Sequence, residues 1–193
     1  MTSARLETFT DGVLAIIITI MVLELGIPHG TDAGALRPLI PVFLAYVLSF
    51  VNLGIYWNNH HHMLTTVTRV NGAMLWANLH LLLWLSLFPF MTGWMGESDF
   101  ASFPVAAYGI VSLMAAIAYF ILQQTIIRDQ GEDSPLAAAV GKDLKGKMSP
   151  VLYLAGIVFA TPARYVALGF YVFVALMWLI PDRRIETSRT GAG

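Results

Sequence analysis

The chain has 193 residues, 57% hydrophobic and 12% charged, with a mean hydropathy of +0.69. Soluble domains carry about a quarter charged residues, so this composition belongs in lipid. The net charge of −1 offers no electrostatic grip on nucleic acid, and the absence of Cys excludes disulfides, thiolate metal sites and thiol nucleophiles. One small integral membrane domain, residues 1–193, is expected.

A helix crosses about 30 Å of hydrocarbon with roughly 20 apolar residues. Six such runs appear, at about 9–27, 38–59, 73–95, 103–127, 149–160 and 165–181. Pro28 and the polar stretch from His29 to Asp32 end the first. Pro38 and Pro41 open the second, where a first helical turn has no donor to lose. Arg69, Asn71 and Gly72 precede the third, and Gly96, Glu97, Ser98 and Asp99 break it. Between the fourth and fifth lies the longest polar stretch, 128–148, where a short amphipathic helix over 135–145 is expected. Thr161, Pro162, Ala163 and Arg164 join the last two runs as a tight hairpin.

Six crossings place both termini on one side of the membrane. That side collects Arg5, Arg69, Arg128, Lys142, Lys145, Lys147, Arg183, Arg184 and Arg189, leaving Arg37 and Arg164 opposite, so the termini are expected in the cytoplasm. The first run is read as a true span and not a cleavable signal peptide, because Asp11 and Glu24 bracket it. Prolines sit near span ends and the two halves share no repeat, which weakens a transporter reading built on matched, interrupted helices.

The first span carries the unusual chemistry. Charge inside a membrane is costly, and Arg5, Glu7, Asp11 and Glu24 cluster around one helix. Arg5, Glu7 and Glu24 suit the interfaces, while Asp11 is the deeper acid. Arg5 and Asp11 are six residues apart and so on different helix faces; their partners are expected on other helices. Beyond Gly12, residues Ile16, Thr19, Ile20, Leu23 and Ile27 share one helical stripe. In an all-apolar helix that spacing fits lipid contact or ordinary packing equally well.

Arg5-Leu6-Glu7-Thr8-Phe9-Thr10-Asp11-Gly12 resembles the R-x-x-x-F-S-D-G signature of the transmembrane protein 175 potassium channels, with Thr10 keeping the hydroxyl of the serine. The likeness continues through Ala15-Ile16, Thr19 and Val22-Leu23-Glu24, then Tyr56-Trp57-Asn58-Asn59-His60-His61, Asn78-Leu79 and Pro89-Phe90. It covers about the first half of the chain; the second half matches in helix count.

The resemblance implies an all-α membrane protein with six transmembrane helices per subunit, assembled as a homotetramer around a pore lined by the first helix. It implies potassium as the permeant ion, with no cofactor, in the inner membrane of a bacterium and in contact with lipid. Ile16 would form the narrowest ring, Thr19 would contribute to potassium preference, and Ile20 and Leu23 would add apolar layers. Arg5 and Asp11, with His60 or His61 and Asn78, would form a polar network behind the pore helix. Four isoleucines in a ring make a dry constriction, which favours potassium moderately because potassium sheds water more readily than sodium. Nothing resembles a T-V-G-Y-G carbonyl filter; the nearest string, Leu168-Gly169-Phe170-Tyr171, lies inside an apolar span.

Other motifs read as structure. His60, His61 and His62 are adjacent, so on one helix they point about 100° apart and do not converge on one metal ion. Protonation of these histidines is a route to pH-tuned gating. His80 reads as a packing histidine, and Trp57, Trp76, Trp84, Trp94 and Trp178 as interface anchors. Glu24, Asp32, Glu97 and Asp99 make the outer face acidic, and the Lys142, Lys145, Lys147 cluster enforces topology. Hydrolase, P-loop and dinucleotide motifs are missing, so no enzyme is expected. The competing function is a proton- or cation-coupled secondary transporter that uses intramembrane Asp and His as a relay.

Overall fold

A computed structural model describes residues 2–67, 69–141 and 143–179. Lys142, Arg183, Arg184 and Arg189 of the charge argument, and residues 180–181 of the expected sixth span, lie outside the described residues. The described residues form helices joined by short turns: α1 Ser3–Met21, α2 Ile40–Thr65, α3 Gly72–Leu85, α4 Phe88–Glu97, α5 Ser102–Gln130, α6 Pro135–Val140, α7 Leu144–Phe159 and α8 Arg164–Leu179. Short 3₁₀ segments, Val22–Leu25 and Ala33–Leu39, extend the end of α1 and lead into α2.

Among the described residues, four stretches are long and apolar enough to cross a membrane: Ser3–Leu25, Ala33–Thr65, Gly72–Glu97 and Ser102–Gln130. Helices α7 and α8 have 16 residues each, about 24 Å at 1.5 Å per residue. The α1 helix begins before the expected residue 9, so Arg5 and Glu7 are helical. The α2 helix runs past 59 to Thr65, carrying all three adjacent histidines.

The third run is not one continuous helix. Pro89 lies in the first turn of α4 and has no N–H to give the preceding turn, so the helix ends at Leu85 and restarts at Phe88. Local bonds cover the exposed carbonyls: Ser86 N–H donates to Leu82 O at 2.9 Å, and the Ser86 hydroxyl donates to Leu83 O at 2.8 Å. The expectation that prolines only flank spans is corrected here. A second correction concerns 135–149. The expected amphipathic helix divides into α6 and the first turn of α7, which starts at Leu144 with Asp143 as its cap and carries Pro150 inside it.

The α1 helix packs on α2, α3 and α4; α5 runs through the centre, against α3 and α4 on one side and α7 and α8 on the other. Tyr108 of α5 is fully buried and ties the halves together. Its hydroxyl accepts from Ser49 at 3.2 Å and from Asn52 at 3.0 Å, and the Thr92 hydroxyl lies 2.6 Å from that of Ser49. Such chains satisfy polar groups that lipid-like surroundings would otherwise penalise. On the far side Tyr171 of α8 fills the space left by Gly109 of α5 and Gly156 of α7, where any side-chain carbon would collide with its ring. Its hydroxyl donates to Val105 O at 3.2 Å.

One end of the molecule collects the beginning of α1, the end of α2, the start of α3 and the end of α5. Asn71 donates to Asp129 at 2.7 Å there, and Gln130 donates to Thr66 O at 3.1 Å. Arg5, Arg69 and Arg128 are exposed at this end.

Candidate ion pathway

The two faces of α1 differ in what they meet. Leu6, Thr10, Leu14, Ile17 and Met21 are buried against the rest of the chain. On the opposite stripe lie Arg5, Phe9, Gly12, Ile16, Thr19, Ile20 and Leu23, all exposed. Ile16 is 59% exposed and Leu23 74%, so the described residues leave most of both side chains uncovered. The positions i, i+4, i+7, i+11 and i+18 from Arg5 fall within about 40° of one line at 100° per residue.

Thr19 is the polar member of that line beyond Gly12. Its hydroxyl proton is taken internally, since Oγ1 lies 3.0 Å from Ala15 O and 2.9 Å from Ile16 O. The proton turns back to the helix and the oxygen lone pairs face outward, where they can meet a cation. An apolar side chain at Ile16 is thus followed one turn on by an outward-facing acceptor on the same exposed surface. An open groove adjoins the stripe between α1 and the α3–α4 break, lined by Ile16, Ile20, Glu24, Ser86, Pro89 and Phe90 among others. The Glu24 side chain lies in it against Gly93.

The buried face is oriented by polar contacts. Asn78 of α3 is fully buried; its amide nitrogen donates to Thr10 Oγ1 at 2.9 Å, and its oxygen lies 2.8 Å from His60 Nε2. An amide oxygen only accepts, so His60 carries its proton on Nε2. Asp11 accepts from Trp57 Nε1 at 3.0 Å. Glu7 pairs with His61 Nδ1.

The single network expected around Arg5, Asp11, a histidine and Asn78 is therefore three separate contacts. His60 and Asn78 come together, with Thr10 as the third member. Asp11 and His61 each take a different partner, and Arg5 makes no bond to the chain among the described residues. The reason is angular: Arg5 sits five full turns below Leu23 on the exposed stripe, facing away from α2 and α3. Sequence reasoning missed Thr10, Trp57 and Glu7 as partners. Thr10 was within reach of it, because Leu6, Thr10, Leu14, Ile17 and Met21 repeat at helical spacing. Among the described residues no group of three potential ligands stands close enough to hold a metal. His80 accepts from Trp84 Nε1 at 3.0 Å within α3, a local packing role.

Apolar helices long enough to span, buried hydroxyls and amides paired between helices, and an exposed apolar stripe on α1 define a multi-pass integral membrane protein. Residues 5–89 match the family model described as endosomal/lysosomal potassium channel TMEM175. The chain is 57% identical over 188 residues to a potassium channel of Chryseobacterium sp. (strain P1-3), covering 97% of this chain and 98% of that one. It is 35% identical over 150 residues to a potassium channel of Streptomyces collinus, covering 71% and 73%. Its fold matches the crystal structure of a lysosomal potassium-selective channel TMEM175 homolog from Chamaesiphon minutus with a TM-score of 0.77, at 26% identity over 92% of this chain and 96% of that chain. The animal relatives differ in name: the Gallus gallus protein, 28% identical over 156 residues covering 72% of this chain and 31% of that one, is an endosomal/lysosomal proton channel. The chain belongs to the TMEM175 family, whose members are ion channels and not enzymes.

Proposed function

We propose that the protein is a moderately selective potassium channel, built from four copies with α1 of each lining a central pore. The observation that carries this reading is the exposed stripe of α1. It is apolar, uncovered by the other described residues, and interrupted at Thr19 by an outward-facing hydroxyl oxygen. One helix encloses no channel, and rotational symmetry around α1 turns each stripe residue into a ring. Ile16 is the narrowest of these rings, Ile20 and Leu23 are further apolar layers, and Thr19 is the resting position between them. Arg5 would then ring the cytoplasmic entrance, and the Thr10–Asn78–His60, Asp11–Trp57 and Glu7–His61 contacts would hold α1 at the rotation that presents the stripe.

The bacterial relatives named potassium channels support the choice of ion. The chain crosses the membrane six times in this reading, with α3 and α4 as one interrupted crossing and α7 and α8 as a short hairpin in a locally thinned or tilted setting. The gathering of Arg5, Arg69 and Arg128 at one end supports cytoplasmic termini in a bacterial inner membrane. A relay transporter draws no support from the three polar contacts, since each closes on its own pair or trio.

The test is current through the purified protein in planar bilayers, with potassium on one side and sodium on the other. The expected result is unitary current reversing towards the potassium equilibrium potential, with conductance raised severalfold in Ile16→Ala. Silent bilayers accompanied by saturable, proton-coupled uptake into vesicles would overturn the reading.

A further inference from the structure

Another cavity among the described residues shares no lining residue with α1, α3 or α4. It is a narrow cleft between α2, α5, α7 and α8. We propose that this cleft binds a free small organic monocation, an ammonium bearing apolar substituents.

Three features of the lining point to that chemistry. The walls are aromatic: Tyr56 and Tyr119 meet edge to face at 6.0 Å between ring centres, with Tyr153 and Trp178 across from them. Ring faces attract a weakly hydrated cation, most strongly where water is excluded. Asp143 is the one charged residue among the described lining residues, and its carboxylate disfavours an anion there. Finally, several polar groups have no partner. Gln123 is 7% exposed and lines the cleft, yet its amide makes no hydrogen bond among the described residues; the same holds for the Tyr56 and Tyr153 hydroxyls. A plain alkyl chain would leave these groups unpaired at a cost in free energy. An ammonium offers them N–H donors or a close positive charge while its substituents meet Phe120 and Ile55.

A bare metal ion fits less well, because no group of three potential ligands exists among the described residues. At one end Lys145 Nζ already lies 6.0 Å over the ring of Trp178, so the ligand ammonium belongs at the other end, by Tyr56, Tyr119 and Tyr153. Occupancy would wedge the hairpin of α7 and α8 against α2 and α5, which makes the cleft a point from which a ligand alters the bundle without entering the proposed pore.

The test is thermal unfolding of the full chain in detergent, titrated with choline and with 3,3-dimethylbutan-1-ol, its uncharged carbon analogue. A ligand that binds only the folded state raises the midpoint in a saturable way. Choline should do so and the alcohol should not. Asp143→Asn should weaken choline about tenfold without lowering the ligand-free midpoint, since Asn caps α7 and tolerates the left-handed backbone as Asp does. Gln123→Ala should weaken it about threefold, and Ile16→Ala should leave it unchanged. An equal response to the alcohol, or no response to choline, would overturn the proposal. So would full affinity in Asp143→Asn, or loss of binding in Ile16→Ala, which would move the site to the pore. Glycerophosphocholine should bind more weakly than choline; tighter binding would assign the cleft to a lipid headgroup and overturn a free ligand.

Discussion

Helices α1 and α8 are both apolar and both stand at the outside of the chain, yet they are held in different ways. The α8 helix is fixed by shape. Its buried side is Ala167, Tyr171, Val174 and Ala175, and the Tyr171 ring occupies gaps at Gly109 and Gly156. Its outer side, Val166, Gly169, Val172, Phe173, Leu176 and Leu179, is apolar beyond Tyr165 in the first turn, as a lipid-facing surface requires. The α1 helix is fixed by polar contacts: Glu7, Thr10 and Asp11 reach His61, Asn78 and Trp57 within its first three turns. Its outer side carries Arg5, Gly12 and Thr19 among the apolar residues. Close packing resists separation, whereas directional bonds fix rotation about the helix axis. A helix that must present one stripe and no other gains most from the second kind of restraint.

This contrast can be broken by exchanging the restraints. The largest loss of stability should come from Gly156→Ala, whose new carbon meets the Tyr171 ring; we expect a cost of about 1–3 kcal/mol, read from thermal unfolding in detergent. Asn78→Leu removes both bonds of the central amide and leaves Thr10 and His60 without partners, for about 1–2 kcal/mol in the same assay. Unlike Gly156→Ala, it should also lower potassium selectivity in bilayer recordings, because α1 is freed to rotate. Trp57→Phe deletes the donor to Asp11 at an expected cost of about 0.6 kcal/mol, with a small change in conductance. Thr19→Val is the sharpest separator. It lies on the uncovered stripe and should leave the unfolding midpoint unchanged while reducing potassium preference over sodium a fewfold, measured as a reversal-potential shift.

Much of the fold was legible because lipid imposes simple rules. Apolar runs of membrane length mark α1, α2, α3 with α4, and α5, and Asn71 and Pro41 announce helix starts that the structure keeps. The break at Pro89 was readable in kind, since proline removes a donor, but the surrounding run is apolar on both sides and hides it from a hydropathy count. The start of α7 was placed too late because Lys145 was assigned to the end of a separate amphipathic helix and Lys147 to the polar stretch after it; the Asp143 cap starts α7 at Leu144, so both lysines lie in its first turns.

The site divides in the same manner. Ile16, Thr19, Ile20 and Leu23 fall on one face about 100° wide by spacing alone, but in a helix apolar all round, spacing does not say which face is uncovered. Packing decides that, and the described residues leave this face bare. The partners of Asp11 and His61 depend on how α2 rotates against α1, a relation between two helices that no single stretch of sequence records.

Whether the bare stripe of α1 faces a water-filled pore is the claim on which the rest depends. The chain has no cysteine, so single cysteines introduced at Thr19, Leu23, Ile17 and Phe173 report without background. The measurement is block of potassium current by a water-soluble, thiol-reactive cation. Rapid block at Thr19→Cys and Leu23→Cys, with none at buried Ile17→Cys or at Phe173→Cys on the outer side of α8, is the predicted result. Block at Phe173→Cys with full current at Thr19→Cys and Leu23→Cys would contradict it and place the ion path along another face.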